Sequence, residues 1–169
     1  AEAVNTEGTL RVAVLTVSDG VAAGAREDSS GSLIEQWVRQ RGYVLAERLN
    51  VPDESGPIAD ALVRLCDQDD CDLLLTTGGT GLTPRDVTPE ATSAVLDRPA
   101  PGISEAIRVE GLRKTPRAAL GRGLAGVRGA TLVVNLPGSP GGVSDGLDVL
   151  SVFVDHAVDL IRGRFTSHD

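Results

Sequence analysis

The stretch CDLLLTTGGTGLTPRDVTPEAT, running from Cys71 to Thr92, decides how the rest of the chain is read. Its opening run, Cys71 to Thr77, is aliphatic at its centre and lacks polar alternation, as expected of a strand buried on both faces of a parallel sheet. Gly78-Gly79-Thr80-Gly81 ends that strand in a sharp turn. Thr88-Pro89-Glu90 then carries the N-cap and N1-proline pattern that opens a helix.

The same unit recurs on either side. Leu10 to Val17, LRVAVLTV, reads as a doubly buried strand ending at Ser18-Asp19-Gly20 and a loop rich in Gly and Ala. Asp28 to Gly31 offers N-cap residues for a helix to about Arg41, with Gly42 at its C′ position. Tyr43 to Val51 reads as a strand, and Pro52 to Pro57 leads into a helix to about Asp69 with Ile58, Leu62 and Leu65 on one face. Gly102 to Leu112 reads as a helix and Pro116 to Leu120 as a short one. Thr131 to Leu136, TLVVNL, is the last strong strand, followed by the glycine-rich loop Pro137 to Gly142. A final helix over about Ser144 to Arg162 turns Leu147, Leu150, Phe153, Val154, Val158 and Ile161 inward.

Strands alternating with helices predict an α/β fold with a mostly parallel sheet covered on both faces. We expect one domain over residues 10–164, a loose arm over 1–9 and a short tail over 165–169. Ligands of such sheets bind outside the carboxyl ends of the strands. Three strand ends, at Ser18-Asp19, Thr76 to Gly81 and Pro137 to Gly142, are rich in small polar residues and glycine, so they are expected to share one edge.

Composition narrows the chemistry. The chain has 169 residues, a net charge of −8 and a single lysine, Lys114. Nucleic acid is a poor fit, because neither a basic footprint nor stacking aromatics are present. Cys66 and Cys71 lack metal-ligand spacing and read as small buried hydrophobes, and with only two histidines a zinc site is not expected. His156 reads as a packing or interface residue. With no secretory segment and no apolar run of about 18 residues, a cytoplasmic protein without membrane contact is expected.

Successive N–H groups in the Gly78 to Gly81 turn suit a phosphate, although a tight turn without a ligand has the same composition. The turn is neither a Walker loop nor a dinucleotide fingerprint. Asp86, ionised at neutral pH, would repel a phosphate there unless a cation lay between them; magnesium, which binds phosphates with one or two carboxylates, fits. Arg85 reads either as a neutraliser of leaving-group charge or as a structural partner of Asp86. Asp53 reads as a helix-start cap or as a second carboxylate, and spacing alone favours the cap. Asp28 and Ser30 stand between capping and ligand contact, whereas Ser18 and Asp19 lean toward function.

Together, TVSDG (Thr16 to Gly20), DSSG (Asp28 to Gly31), VPDE (Val51 to Glu54), TTGGTGLTPRDVTPEAT (Thr76 to Thr92), KTPRAALGR (Lys114 to Arg122) and AGVRGATLVVNLPGSPGG (Ala125 to Gly142) resemble the molybdopterin adenylyltransferase family. That family includes the bacterial Mog and MoaB-type proteins and the G domain of gephyrin. The resemblance implies a three-layer α/β/α fold, a homotrimer, and a reaction in which magnesium-ATP and molybdopterin give adenylylated molybdopterin and pyrophosphate. It makes Asp53 and Asp86 the essential pair and metal ligands. It also places Ser18, Asp19, Asp28, Ser30, Gly31, Gly78, Gly79, Thr80, Gly81, Arg85, Pro137, Gly138 and Ser139 at the substrates. Two departures stand out: Gly121 replaces a usual Ser, and Gly141 a frequent lysine. The alternative is a non-catalytic pterin-binding or scaffolding homologue, against which the presence of both aspartates argues.

Overall fold

The computed structural model describes residues 9–68 and 70–164; most of the expected arm, the expected tail and Asp69 lie outside them. In chain order the elements are β1 (Arg11–Val17), α1 (Asp19–Ala22), α2 (Ser29–Gln40), β2 (Val44–Val51), α3 (Ser55–Asp67), β3 (Leu73–Thr77), α4 (Thr88–Val95), β4 (Arg98–Pro99), α5 (Pro101–Leu112), a 3-10 helix (Pro116–Leu120), β5 (Ala125–Arg128), β6 (Thr131–Leu136) and α6 (Pro140–Arg162). The six strands form one sheet in the order β2-β1-β3-β6-β5-β4. β2, β1, β3 and β6 run parallel, whereas β5 and β4 add an antiparallel edge.

The pleat explains the layering, because successive strand side chains point to opposite faces. Val12, Val14, Leu73, Leu75, Leu132 and Val134 pack with Ile34, Val38, Leu150 and Val154 beneath α2, α5 and α6. Their neighbours Ala13, Leu15, Leu74 and Val133 pack on the other face with Ile58, Leu62 and Leu65 of α3 and Val95 of α4. The three-layer α/β/α expectation is therefore borne out. Cys66 and Cys71 are both buried within the second cluster, as small hydrophobes. Phe153 and Ile161 are only half-buried at the margin of the first, and His156 is exposed.

Four local expectations need correction. The final helix begins at Pro140, not Ser144, so half of the supposed glycine loop is its first turn. Ser139 caps it by accepting from the Gly142 N–H at 3.1 Å, and proline's fixed φ suits the opening position. Thr88 does not cap α4; the N-cap is Val87, and the Thr88 hydroxyl donates to the Gly78 carbonyl at 3.0 Å. The loop after β1 contains the short helix α1, capped by the Ser18 hydroxyl. Residues 98–99 and 125–128 had no strand reading at all, yet they extend the sheet beyond β6.

Candidate functional site

The carboxyl ends of β1, β3 and β6 do share one edge, and hydrogen bonds stitch them together. The Thr77 hydroxyl donates to the Pro137 carbonyl at 2.6 Å, and the Ser30 hydroxyl to the Gly138 carbonyl at 2.8 Å. Gly78 has φ +94°, and a Cβ there would lie 2.2 Å from the Val17 carbonyl oxygen. Only glycine lets the β3 turn press against the end of β1 in this way. The two glycine loops also touch, since a Cβ on Gly138 would stand 3.3 Å from the Gly78 Cα.

That shared wall separates two cavities. The smaller, about 320 Å³, is lined on its acidic side by Asp28, Asp53 and Asp86, with Ser18, Ser30 and Arg26 around it. The larger, about 550 Å³, is bordered by Thr80, Asn135, Pro137, Ser139, Gly121 and Arg117. Both positions at which the chain departs from the family pattern, Gly121 and Gly141, line the larger cavity.

Asp53 does not cap α3, whose N-cap residue is Glu54. Its Oδ2 instead accepts from the Asp19 N–H at 2.9 Å, while the Asp53 N–H donates to Asp19 Oδ1 at 3.0 Å. Arg85 then grips the Asp19 carboxylate through Nε at 3.1 Å and Nη2 at 2.8 Å. Arg85 is thus a structural partner, but of Asp19 rather than Asp86. Burial pushes the Asp53 carboxyl above the usual range; the Asp19 N–H opposes that rise, and the negative charges of Asp19 and Asp86 add to it. The hydrogen bond from Arg85 holds Asp19 below it, helped by the Asp53 N–H.

Asp86 is fixed differently. Its Oδ2 accepts from the Thr83 N–H at 3.0 Å and the Thr83 hydroxyl at 2.8 Å, within a turn closed by Asp86 N–H donating to the Thr83 carbonyl. Oδ1 of Asp53 and Oδ1 of Asp86 meet no protein donor among the described residues, and both side chains line the smaller cavity. Magnesium suits such a pair, because it takes one or two carboxylates and fills the rest of its octahedron with water and phosphate oxygens. Among the described residues no group of three or more acidic, His or Cys side chains is arranged to hold a metal ion.

Of the other expected site residues, Ser18, Asp28, Ser30, Gly78, Gly79 and Gly138 border the smaller cavity, and Thr80, Pro137 and Ser139 the larger. Asp19, Gly31, Gly81 and Arg85 border neither. Asp28 is the α2 cap, its Oδ1 accepting from Gly31 N–H at 2.9 Å, while its Oδ2 accepts from the Thr16 hydroxyl and from Arg48.

Sequence reasoning missed Arg26, Arg117, Arg122 and Asn135. Asn135 interrupts the aliphatic run of β6, which was a legible signal. Its amide donates to the buried Thr76 and Thr92 hydroxyls at 3.0 and 3.1 Å, and its oxygen accepts from Leu124 N–H at 3.0 Å. The arginines carried no such mark.

Residues 13–156 match the family model described as "Probable molybdopterin binding domain". The chain belongs to that family. The resemblance carried by the strand-end motifs is borne out by relatives of the same kind. The chain is 38% identical over 166 residues to the molybdopterin adenylyltransferase of Helicobacter pylori strain J99, covering 93% of this chain and 90% of that one. It is 39% identical over 143 residues to the molybdopterin adenylyltransferase of Escherichia coli K12, covering 83% and 73% respectively. Among solved structures, the molybdopterin biosynthesis enzyme MoaB of Thermus thermophilus superposes with a TM-score of 0.86 at 47% identity, covering 92% of this chain and 98% of that one.

Proposed function

We propose that this family member is a molybdopterin adenylyltransferase that joins molybdopterin to the adenylyl group of ATP. A phosphate oxygen of molybdopterin forms a bond to the α-phosphorus, the bond from that phosphorus to the bridging oxygen breaks, and pyrophosphate leaves with the electron pair. The observation that carries this reading is the pair of cavities whose linings both draw on the two glycine loops. The smaller holds both open carboxylate oxygens, and each cavity can take one anion beside the other.

A phosphate dianion needs no strong base to act as a nucleophile, so a site without histidine suffices. The work is to bring two anions together and to hold charge, which is how phosphoryl-transfer sites act. Asp53 and Asp86 would hold magnesium, which neutralises phosphate charge when bound. Gly78 and Gly79 present a backbone that phosphate oxygens can approach closely. Arg26 in the smaller cavity and Arg117 in the larger are free of carboxylate partners among the described residues and face the two substrates. The proposal includes ATP as donor, a homotrimeric assembly and a cytoplasmic setting; among the described residues no helix is long and apolar enough to cross a membrane.

The test is turnover of the purified protein with magnesium-ATP and molybdopterin, with the product identified by mass. Adenylylated molybdopterin and pyrophosphate in equal amounts are expected. A protein that binds molybdopterin and forms no product would overturn the catalytic reading.

A further inference from the structure

We propose that Arg122 is a positioning residue that sets Asp86 for magnesium by clamping the backbone of its turn. The inference rests on the reading that Asp86 is a metal ligand. Arg122 Nε donates to the Gly81 carbonyl at 2.7 Å, and Nη2 donates to the Asp86 carbonyl at 2.8 Å. One planar group therefore holds both ends of the segment whose side chain enters the smaller cavity. The Arg122 N–H adds a bond to the Thr80 carbonyl at 2.9 Å. The outer edge of the guanidinium is fixed by Glu90 on α4, with Nη1 at 2.7 Å from Oε2 and 3.1 Å from Oε1.

Besides Arg122, the turn is tied to the rest of the site edge through the Arg85 side chain, which grips Asp19. The Asp86 carboxylate bonds only within it, to Thr83, and the turn projects into solvent at Leu82, which is 65% exposed. The turn has little slack, because a Cβ on Gly81 would stand 2.8 Å from Asp86 Oδ2. A shift at either carbonyl therefore moves the carboxylate. The partner of Arg122 also bears its mark, since the Arg122 hydrogen bond holds the Glu90 carboxyl below its ordinary range. On the far side, the flanking carbonyls of Gly121 and Gly123 accept from Arg108 at 3.0 and 3.3 Å, and both glycines line the larger cavity. Arg122 thus joins the wall of one cavity to the carboxylate of the other.

Lysine keeps the charge but lacks the planar fork that reaches two carbonyls and a carboxylate at once. Losing one or more of these charge-assisted bonds in Arg122→Lys should raise the magnesium concentration for half-maximal turnover by roughly tenfold or more. The KM for molybdopterin should stay within about twofold, a split that general loosening of the fold would not produce. A second readout avoids turnover altogether: Mn2+ titrated into the ATP-bound protein and followed by electron paramagnetic resonance should bind Arg122→Lys correspondingly more weakly. Glu90→Gln, which leaves Arg122 in place but frees its outer edge, should shift Mn2+ affinity in the same direction by a smaller factor, and it decides the matter if Arg122→Lys does not fold. Mn2+ affinity unchanged in the variants that fold would overturn the inference. Asp86→Ala separates the two levels: near-normal turnover there defeats the metal reading itself, whereas a dead Asp86→Ala beside an unaffected Arg122→Lys defeats only the clamp.

Discussion

Gly78→Ala offers the sharpest test of how the site edge is built. Two costs act at that position. A side chain at φ +94° sits outside the conformations L residues prefer, which costs roughly 1–2 kcal/mol. The new methyl would also lie 2.2 Å from the Val17 carbonyl oxygen, a backbone atom that cannot rotate away. Forcing extra volume into such a contact typically costs about 1–3 kcal/mol, so the total is roughly 2–5 kcal/mol. Gly24 isolates the first term, because it has φ +73° with nothing within 4 Å of an added Cβ. Gly24→Ala should therefore cost only about 1 kcal/mol. In a domain of this size 1 kcal/mol moves the melting midpoint by about 2–4 °C. Gly78→Ala should thus melt roughly 4–20 °C below wild type, and Gly24→Ala only a few degrees below, by circular dichroism on the same preparation. If the two variants melt together, the close approach of β3 to β1 is not what demands glycine there.

The remaining predictions concern the two carboxylates and the polar core. Asp86→Ala should lose adenylylation by at least about a hundredfold while retaining molybdopterin binding, read from turnover and from equilibrium binding in parallel. Asp53 is held above its ordinary carboxyl range by burial. Its folded form therefore binds a proton more tightly than the unfolded chain, and stability falls as pH rises through that raised value. Asp53→Asn should accordingly be inactive yet melt no lower than wild type at neutral pH. The gap should close in acid, where wild-type Asp53 is itself neutral; a variant clearly less stable at neutral pH would contradict this account. Asn135→Leu strands Leu124 N–H and two fully buried threonine hydroxyls, so denaturant titration should show a loss of about 2–4 kcal/mol.

The parts of the fold that periodicity can encode were legible in the sequence. β1, β3 and β6 are continuous aliphatic runs because each is covered on both faces, and the amphipathic helices on either side show their apolar stripes. β4 and β5 were not legible, since two- and four-residue strands are too short to display a period. The start of α6 was misread because Pro140, Gly141 and Gly142 look like a loop until Ser139 is seen capping them. Convergence of the three strand ends followed from the parallel topology. What held each residue there did not, because Asp53 meets Asp19 across 34 positions and Arg122 meets Asp86 across 36. Long-range contacts of that kind leave no local pattern.

Those contacts also explain how an acidic protein handles two anionic substrates. Arg48 is bound to Asp28, Arg85 to Asp19, Lys114 to Asp145, and Arg108 and Arg122 to backbone carbonyls. Every one of these cations shapes a wall. A guanidinium already satisfied by protein acceptors has little left for a phosphate, because recruiting it would strand the group it releases. On the proposed reading, net attraction for the substrates would fall to Arg26, Arg117, the glycine-loop backbone and the cation that Asp53 and Asp86 would hold. On that same reading, two carboxylates facing a triphosphate would require that cation, since without it the site would repel its own substrate. The acidic lining of the smaller cavity thus supports metal dependence within the proposed reaction.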